Sequence, residues 1–175
     1  VTSLFVTHDQ EEALEVADRV LIMNRGRVEQ IGSPEEVYNK PANPFVLSFL
    51  GHVNIFHGRI DNGQAHFTDG STFATLPDAS ASGKIAAYAR PHEIDISLEP
   101  PPEGHGTQAR VEWVHRAGAT IKVELTILDE PAGSNENNVL IVELPRQRYA
   151  QIPVEAGAIV WAVPRDLRIF ADYQI

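Results

Sequence analysis

A mainly β chain, folded as a small barrel or two stacked barrel-like halves behind a short α/β segment, is predicted by three observations. Beyond residue 51, short runs of alternating polar and apolar residues are broken by turn dipeptides about every 8–12 residues. Before residue 51, two Pro-containing helix starts and a hairpin stand close together. The 175 residues, 43% hydrophobic and 22% charged, are enough for one domain plus a fragment of another at roughly 100–200 residues per domain.

From the amino terminus, Val1 to His8 is β-branched and mostly apolar, which predicts a buried strand stopped by Asp9. Asp9 and Glu12 have capping-box spacing, with Ala13, Leu14, Ala17 and Leu21 continuing at helical intervals. Arg19–Met23 and Val28–Ile31 read as strands joined by the Asn24-Arg25-Gly26 turn. Gly32-Ser33-Pro34-Glu35-Glu36 ends the second strand, caps a helix, supplies its first residue and closes a capping box, so a short helix runs to Asn39. Asn43-Pro44 repeats the device for Phe45–Leu50, which Gly51 stops.

Strands are then predicted at Ile55–Ile60, Gln64–Thr68, Thr72–Leu76, Ile85–Ala89, Ile94–Ser97, Gln108–His115, Thr120–Leu128, Asn138–Leu144 and Ala158–Pro164. Asp61-Asn62-Gly63, Asp69-Gly70 and Ala117-Gly118 mark turns, while 99–106 and 129–137 read as surface loops.

Composition removes several chemistries. With no Cys there is no disulfide, thiol nucleophile, Cys-bound zinc or iron–sulfur cluster. A net charge of −10 repels nucleic acid and anionic lipid. No apolar run is long enough to span a membrane and no charged leader precedes an apolar stretch, so a cytoplasmic protein is expected. Residue 1 is Val and the single Met is Met23, which reads as a piece of a longer chain. The nearest approach to a phosphate-binding loop, Asp78–Ile85, lacks the first Gly and the final hydroxyl, and reads as a turn. The seven His residues show no helical metal-pair spacing, so no metal site is expected, and no Ser lies in a nucleophile elbow. His8, predicted at the carboxyl end of a strand, is the one residue placed where open α/β sheets bind ligands.

Residues Thr7-His8-Asp9-Gln10-Glu11-Glu12-Ala13-Leu14, Ala17-Asp18-Arg19-Val20, Gly26, Gln30-Ile31-Gly32-Ser33-Pro34-Glu35-Glu36-Val37-Tyr38, Pro41, Asn43, Phe45-Val46 and Phe49-Leu50-Gly51 resemble the end of an ABC transporter nucleotide-binding domain. The likeness is to ATPase subunits of bacterial importers for carbohydrates, polyamines and sulfate. It implies that His8 is the switch residue contacting the γ-phosphate of ATP in a closed dimer. The β region resembles, more loosely, the transport-associated OB (TOBE) domains that follow such ATPases, and Arg90-Pro91-His92-Glu93-Ile94-Asp95-Ile96 resembles the sulfate/thiosulfate branch. The same likeness implies that Ile159–Phe170 returns to complete the first barrel.

The resemblance thus implies an ABC ATPase remnant at 1–51 and an OB-like regulatory β domain at 52–175. The subunit would power uptake of sulfate or a related solute, with ATP and Mg as cofactors of the intact protein. Without a Walker A loop, signature motif or catalytic Glu, the present chain is expected to be inactive and to hold no cofactor. Partners implied are a second copy through the regulatory domain and the permease subunits, which would supply the only membrane contact, at the inner face of the cell membrane. The alternative is an oxyanion-sensing domain. Arg90 is its first candidate ligand, with Lys84, Arg110, Arg116 and Lys122 nearby in sequence; the competing role for Arg90 is a pair with Glu93 or Asp95 that pins the barrel.

Overall fold

The computed structural model describes residues 3–61, 64–67, 72–73, 83–101, 105–128 and 138–171. These fall into two compact units, meeting in sequence between His52 and Val53.

The first unit opens differently from the sequence expectation. Ser3–Thr7 form no strand, and Leu4, Phe5 and Val6 are 93%, 61% and 86% exposed. A β-rich run becomes a strand only when a neighbour completes its ladder, and no described residue pairs with this one. His8 therefore sits in an exposed bend, not at the end of a buried strand.

Helix α1 (Gln10–Val16) begins where Asp9 Oδ1 accepts the Glu12 N–H at 3.1 Å. Glu12 does not return the bond; its carboxylate accepts the Thr7 hydroxyl instead. Strands β1 (Val20–Asn24) and β2 (Arg27–Gly32) pair across a two-residue turn in which Arg25 (φ 47) and Gly26 (φ 79) both take the left-handed region, matching the right-handed twist of the hairpin. In α2 (Pro34–Asn39) the predicted capping box is complete, and the Ser33 N–H and hydroxyl hold the Glu36 carboxyl below its ordinary pKa. Asn43 caps α3 (Pro44–Phe49). Ile22, Val37, Val46 and Leu50 form a small core, with Leu14, Val20, Tyr38 and Phe45 packed against it.

The second unit is built of two antiparallel sheets. One follows the order β12-β6-β3-β4-β5, from β3 (Asn54–Asp61), β4 (Gln64–Phe67), β5 (Thr72–Phe73), β6 (Gly83–Ala89) and β12 (Arg168–Ala171). The other follows β10-β9-β8-β11-β7, from β7 (Ile94–Ser97), β8 (Thr107–His115), β9 (Thr120–Ile127), β10 (Val139–Pro145) and β11 (Ile159–Pro164). A 3-10 turn, η1 (Pro91–Glu93), leads into β7, and α4 (Arg146–Gln151) follows β10.

Strict alternation puts Ile121, Val123, Leu125 and Ile127 of β9 and Leu140, Val142 and Leu144 of β10 inside. They meet Phe56, Phe67, Ile85 and Ala87 of the other sheet in one continuous core. Each of the Val, Leu, Ile and Phe side chains among them, fully buried, contributes about 1.5–3 kcal/mol. Gly106 packs so tightly before β8 that an added Cβ would lie 2.8 Å from Pro101 and 3.1 Å from the Ala162 carbonyl.

Two sequence expectations change here. The run Ile159–Phe170 does not return as one piece: β11 pairs with β7 and β8, whereas only β12 reaches back to pair with β6, where Phe170 meets Tyr88 edge-on at 5.6 Å. Helix α4 was not anticipated, because six residues without a side-chain cap carry too little periodicity to announce a helix. Residues 62–63 of the first predicted turn, the turn at 69–70, Thr68 and the strand segment 74–76, the loop 129–137, most of 78–85 and part of 99–106 lie outside the described residues.

Candidate functional site

Two places collect the residues singled out by sequence. The first is the Thr7-His8-Asp9 corner. The Thr7 hydroxyl accepts the Asp9 N–H at 3.0 Å and donates to Glu12 at 3.2 Å, so the backbone on either side of His8 is held by local bonds while its imidazole stays exposed. An exposed imidazole can offer one N–H to an approaching anion.

The second is the corner formed by η1 and β7. Arg90 is 2% exposed, so its guanidinium lies within the protein. Its backbone N–H donates to Glu93 Oε2 at 2.7 Å, and its carbonyl accepts the Glu93 N–H at 2.9 Å. Glu93 also accepts both contacts of Arg168 Nη1 at 2.8 Å, and its carbonyl accepts the Arg165 N–H at 2.7 Å. Asp95 takes Arg148 from α4 in a two-pronged grip at 3.0 and 3.1 Å, and Arg165 besides. Burial opposes ionisation of Asp95, but the hydrogen bonds from Arg148, Arg165 and the Ile96 N–H outweigh it and hold its pKa below the usual carboxylate value.

This corner closes the second sheet on itself. Strand β10 lies beside η1 and β7, yet no ladder joins them. Arg148 spans this gap, while Asn54, which opens β3, ties β10 to the other sheet. Arg148, one turn past β10, reaches Asp95 and the Ile96 carbonyl of β7. Asn54, 4% exposed, donates to the Ile141 carbonyl at 2.8 Å and accepts the Ile141 N–H at 2.7 Å, as a neighbouring strand would. Its amide also reaches the Ala89 carbonyl at 3.4 Å, linking β10 to the end of β6.

The other cations proposed for an anion site lie apart from this corner and mostly face carboxylates. Arg110 pairs with Glu112, Arg116 with Glu155 and the Tyr149 hydroxyl, and Lys122 with Glu124 at 3.6 Å; Lys84 is exposed. Among the described residues, no group of three His, Asp or Glu is arranged to hold a metal ion. No helix among them is long and apolar enough to cross a membrane.

Sequence reasoning singled out Arg90, Glu93 and Asp95 but missed Asn54, Arg148, Arg165 and Arg168. Asn54 left a faint signal, a polar residue opening an apolar strand just past a helix stop. Arg148 left none, since its partner is 53 residues away and its helix was not anticipated.

Residues 54–96 match the family described as the CysA C-terminal regulatory domain, and residues 101–165 match the TOBE-like domain family. The chain is 42% identical to the sulfate/thiosulfate import ATP-binding protein CysA of Nitrosomonas europaea, over 99% of this chain and 46% of that protein. It is 43% identical to the protein of the same name from Ralstonia nicotianae and 41% to that of Bacillus cereus, covering 99% and 97% of this chain and 46% of each relative. It therefore spans about half the length of these relatives. Among solved structures, the cytoplasmic molybdate-binding protein ModG superposes with a TM-score of 0.51 at 13% identity, covering 66% of this chain and 94% of that one, a likeness of fold.

Proposed function

The chain belongs to the family in which a CysA C-terminal regulatory domain is followed by a TOBE-like domain, and from that membership we propose that it is the regulatory region of a sulfate/thiosulfate importer ATPase, with part of the ATPase lobe before it. The mainly β, OB-like architecture agrees with this family. The observation that carries the reading is that the likeness runs through both compact units, across 97–99% of the chain.

In the full-length subunit, ATP with Mg would be held by residues that this chain does not contain. Among the described residues no group of three His, Asp or Glu is arranged to hold the Mg. His8 would contribute a hydrogen bond to the γ-phosphate; its exposure on a corner anchored by Thr7 and Asp9 supports that role. Residues 52–175 would pair with a second copy and keep two ATPase lobes together while permease subunits carry the solute. The subunit would lie in the cytoplasm against the inner face of the cell membrane through those permeases. The 175-residue chain alone is expected to turn over no ATP.

The test is sulfate uptake by cells whose full-length subunit carries His8→Ala. Uptake should fall close to background while ATP binding persists, because the contact belongs to the closed state. Normal uptake would remove His8 from the site. Sensing of an oxyanion at Arg90 is the less favoured reading, since Arg90 is buried and Arg110, Arg116 and Lys122 already face carboxylates. It would require sulfate, but not chloride, to raise the melting temperature of the wild type and not of Arg90→Ala.

A further inference from the structure

Helices α1 and α2 start alike, with a cap residue and a glutamate three positions on, yet they close the box differently. At α2 the closure is direct: the Glu36 N–H donates to Ser33 Oγ at 3.2 Å, and the Ser33 N–H donates to Glu36 Oε2 at 2.8 Å. At α1 the Glu12 N–H donates to Asp9 Oδ1 at 3.1 Å, but the Asp9 N–H goes to Thr7 Oγ1 at 3.0 Å, and the Thr7 hydroxyl donates to Glu12 Oε2 at 3.2 Å. A hydroxyl has been inserted into the box. It can fill the place because it accepts one bond and donates another.

The insertion adds nothing that a helix start needs, since α2 is capped without one. What it adds is a hold on residue 7. Thr7, Asp9 and Glu12 are joined in a closed ring of hydrogen bonds, and His8 is the residue enclosed between the first two. The chain on both sides of His8 is thereby tied to the first turn of α1. That helix is itself seated through Leu14 on the cluster of Ile22, Val37, Val46 and Leu50, so the backbone of His8 is referred to the core of its unit. Gly32, which leads into α2, is already held by its ladder to Val20, whereas residues 3–7 join no ladder among the described residues. Here the hydroxyl does what a neighbouring strand does there.

We propose that Thr7 and Glu12 are positioning residues for His8, holding its bend so that the exposed imidazole meets an anion from one fixed direction. The inference rests on the reading of His8 as a phosphate contact and adds what aims it. A misplacement of about 1 Å at a reacting site can cost on the order of a hundredfold in rate, so a bend released at residue 7 would spread the imidazole over positions that miss the contact.

Two measurements test it. In backbone nitrogen relaxation of the 175-residue chain, Thr7→Val should lower the order parameter of His8 from about 0.85 to below about 0.6, while Thr7→Ser, which keeps the hydroxyl, should leave it at the wild-type value. Glu12→Ala should lower it less, because the bond between Thr7 and Asp9 survives, and Glu12→Gln, which keeps an acceptor oxygen, should restore it. In the full-length subunit assembled with its permease, Thr7→Val should reduce kcat for ATP turnover roughly tenfold with KM for ATP unchanged, and Thr7→Ser should recover it, the melting temperature staying that of the wild type in both. An order parameter that Thr7→Val leaves unchanged, or a loss of turnover that Thr7→Ser does not recover, overturns the proposal while the phosphate-contact reading stands. Full turnover in His8→Ala overturns that reading and the proposal with it.

Discussion

Residues 3–52 and 53–171 fold by interactions of different range. In the first unit the caps and the turn act within three or four residues, Asp9 onto Glu12, Ser33 onto Glu36, Asn43 onto Val46 and the Arg25-Gly26 turn, and the bonds of Gln30 to Lys40 and Ala42 and of Asn43 to Glu29 reach only 10 to 14 positions. Its buried cluster is small, Ile22, Val37, Val46 and Leu50 among the described residues, and Leu21, Met23, Val28 and Ile31 stay about half exposed on one side of the hairpin. In the second unit the corresponding bonds join residues 53 to 87 positions apart, and they close around one large core. Local bonds can shape a segment before anything is buried. Distant ones hold only if the core has already brought their ends together, so the second unit should unfold as a whole while the first loses its parts piecemeal.

The sharpest way to break the contrast is to empty the large core. Leu125→Ala, at a position with no exposure, should cost about 2–5 kcal/mol in urea unfolding and lower the transition of every strand in the second unit together. If tryptophan fluorescence, from Trp113 and Trp161, and amide exchange at Ala87 reported different unfolding free energies, that cooperativity would be refuted.

Asn54→Ala comes next. It strips partners from the Ile141 N–H and carbonyl at once and should cost about 1–3 kcal/mol, with faster amide exchange at Ile141 than at Val123. Equal exchange at both would mean that the seam depends on something other than Asn54.

Ser33→Ala removes a local device in the first unit and should cost about 1 kcal/mol of helix stability, read as lost protection at Glu36 and Val37 with no change at Val123. A change spreading to Val123 would show that the two ranges of interaction are not separate.

The smallest effect belongs to Asp95→Asn, at most about 1 kcal/mol at pH 7, because Arg165 is 62% exposed and solvent screens the pair. Its sign with pH is set by the lowered pKa of the folded state. The Asp95 contribution is complete above the unfolded value of roughly 3.9 and is lost as pH falls through the folded one. The wild-type advantage over Asp95→Asn should therefore vanish in strong acid; one that grew there would contradict the assignment.

The same division explains what could be read from sequence. Caps, the Asn24-Arg25-Gly26 turn and the strands from Ile94 to Pro164 rest on spacing within a few residues, and sequence and structure agree there to within about 1–2 positions. The run at Val1–His8 carried a strand's composition, but β propensity states what a side chain does once a neighbour exists. Glu93 and Asp95 were visible as carboxylate partners for an arginine only in kind: Arg148, Arg165 and Arg168 come from three later segments, and nothing in their local sequence marks which carboxylate each will meet.

The strand order has a consequence for how such a region can be inherited. A cut at 97–100, between the stretches that match the two families, would separate β7 from its partner β11, and β6 from its partner β12. A recombinant joining the first half of one relative to the second half of another must therefore match two strand pairings and the Arg168–Glu93 and Arg148–Asp95 contacts simultaneously. Crossovers at His52–Val53 face no such requirement from the sheets. Chimaeras made there should express as folded protein, whereas those made at 97–100 should survive only between parents already alike at Glu93, Asp95, Arg148 and Arg168.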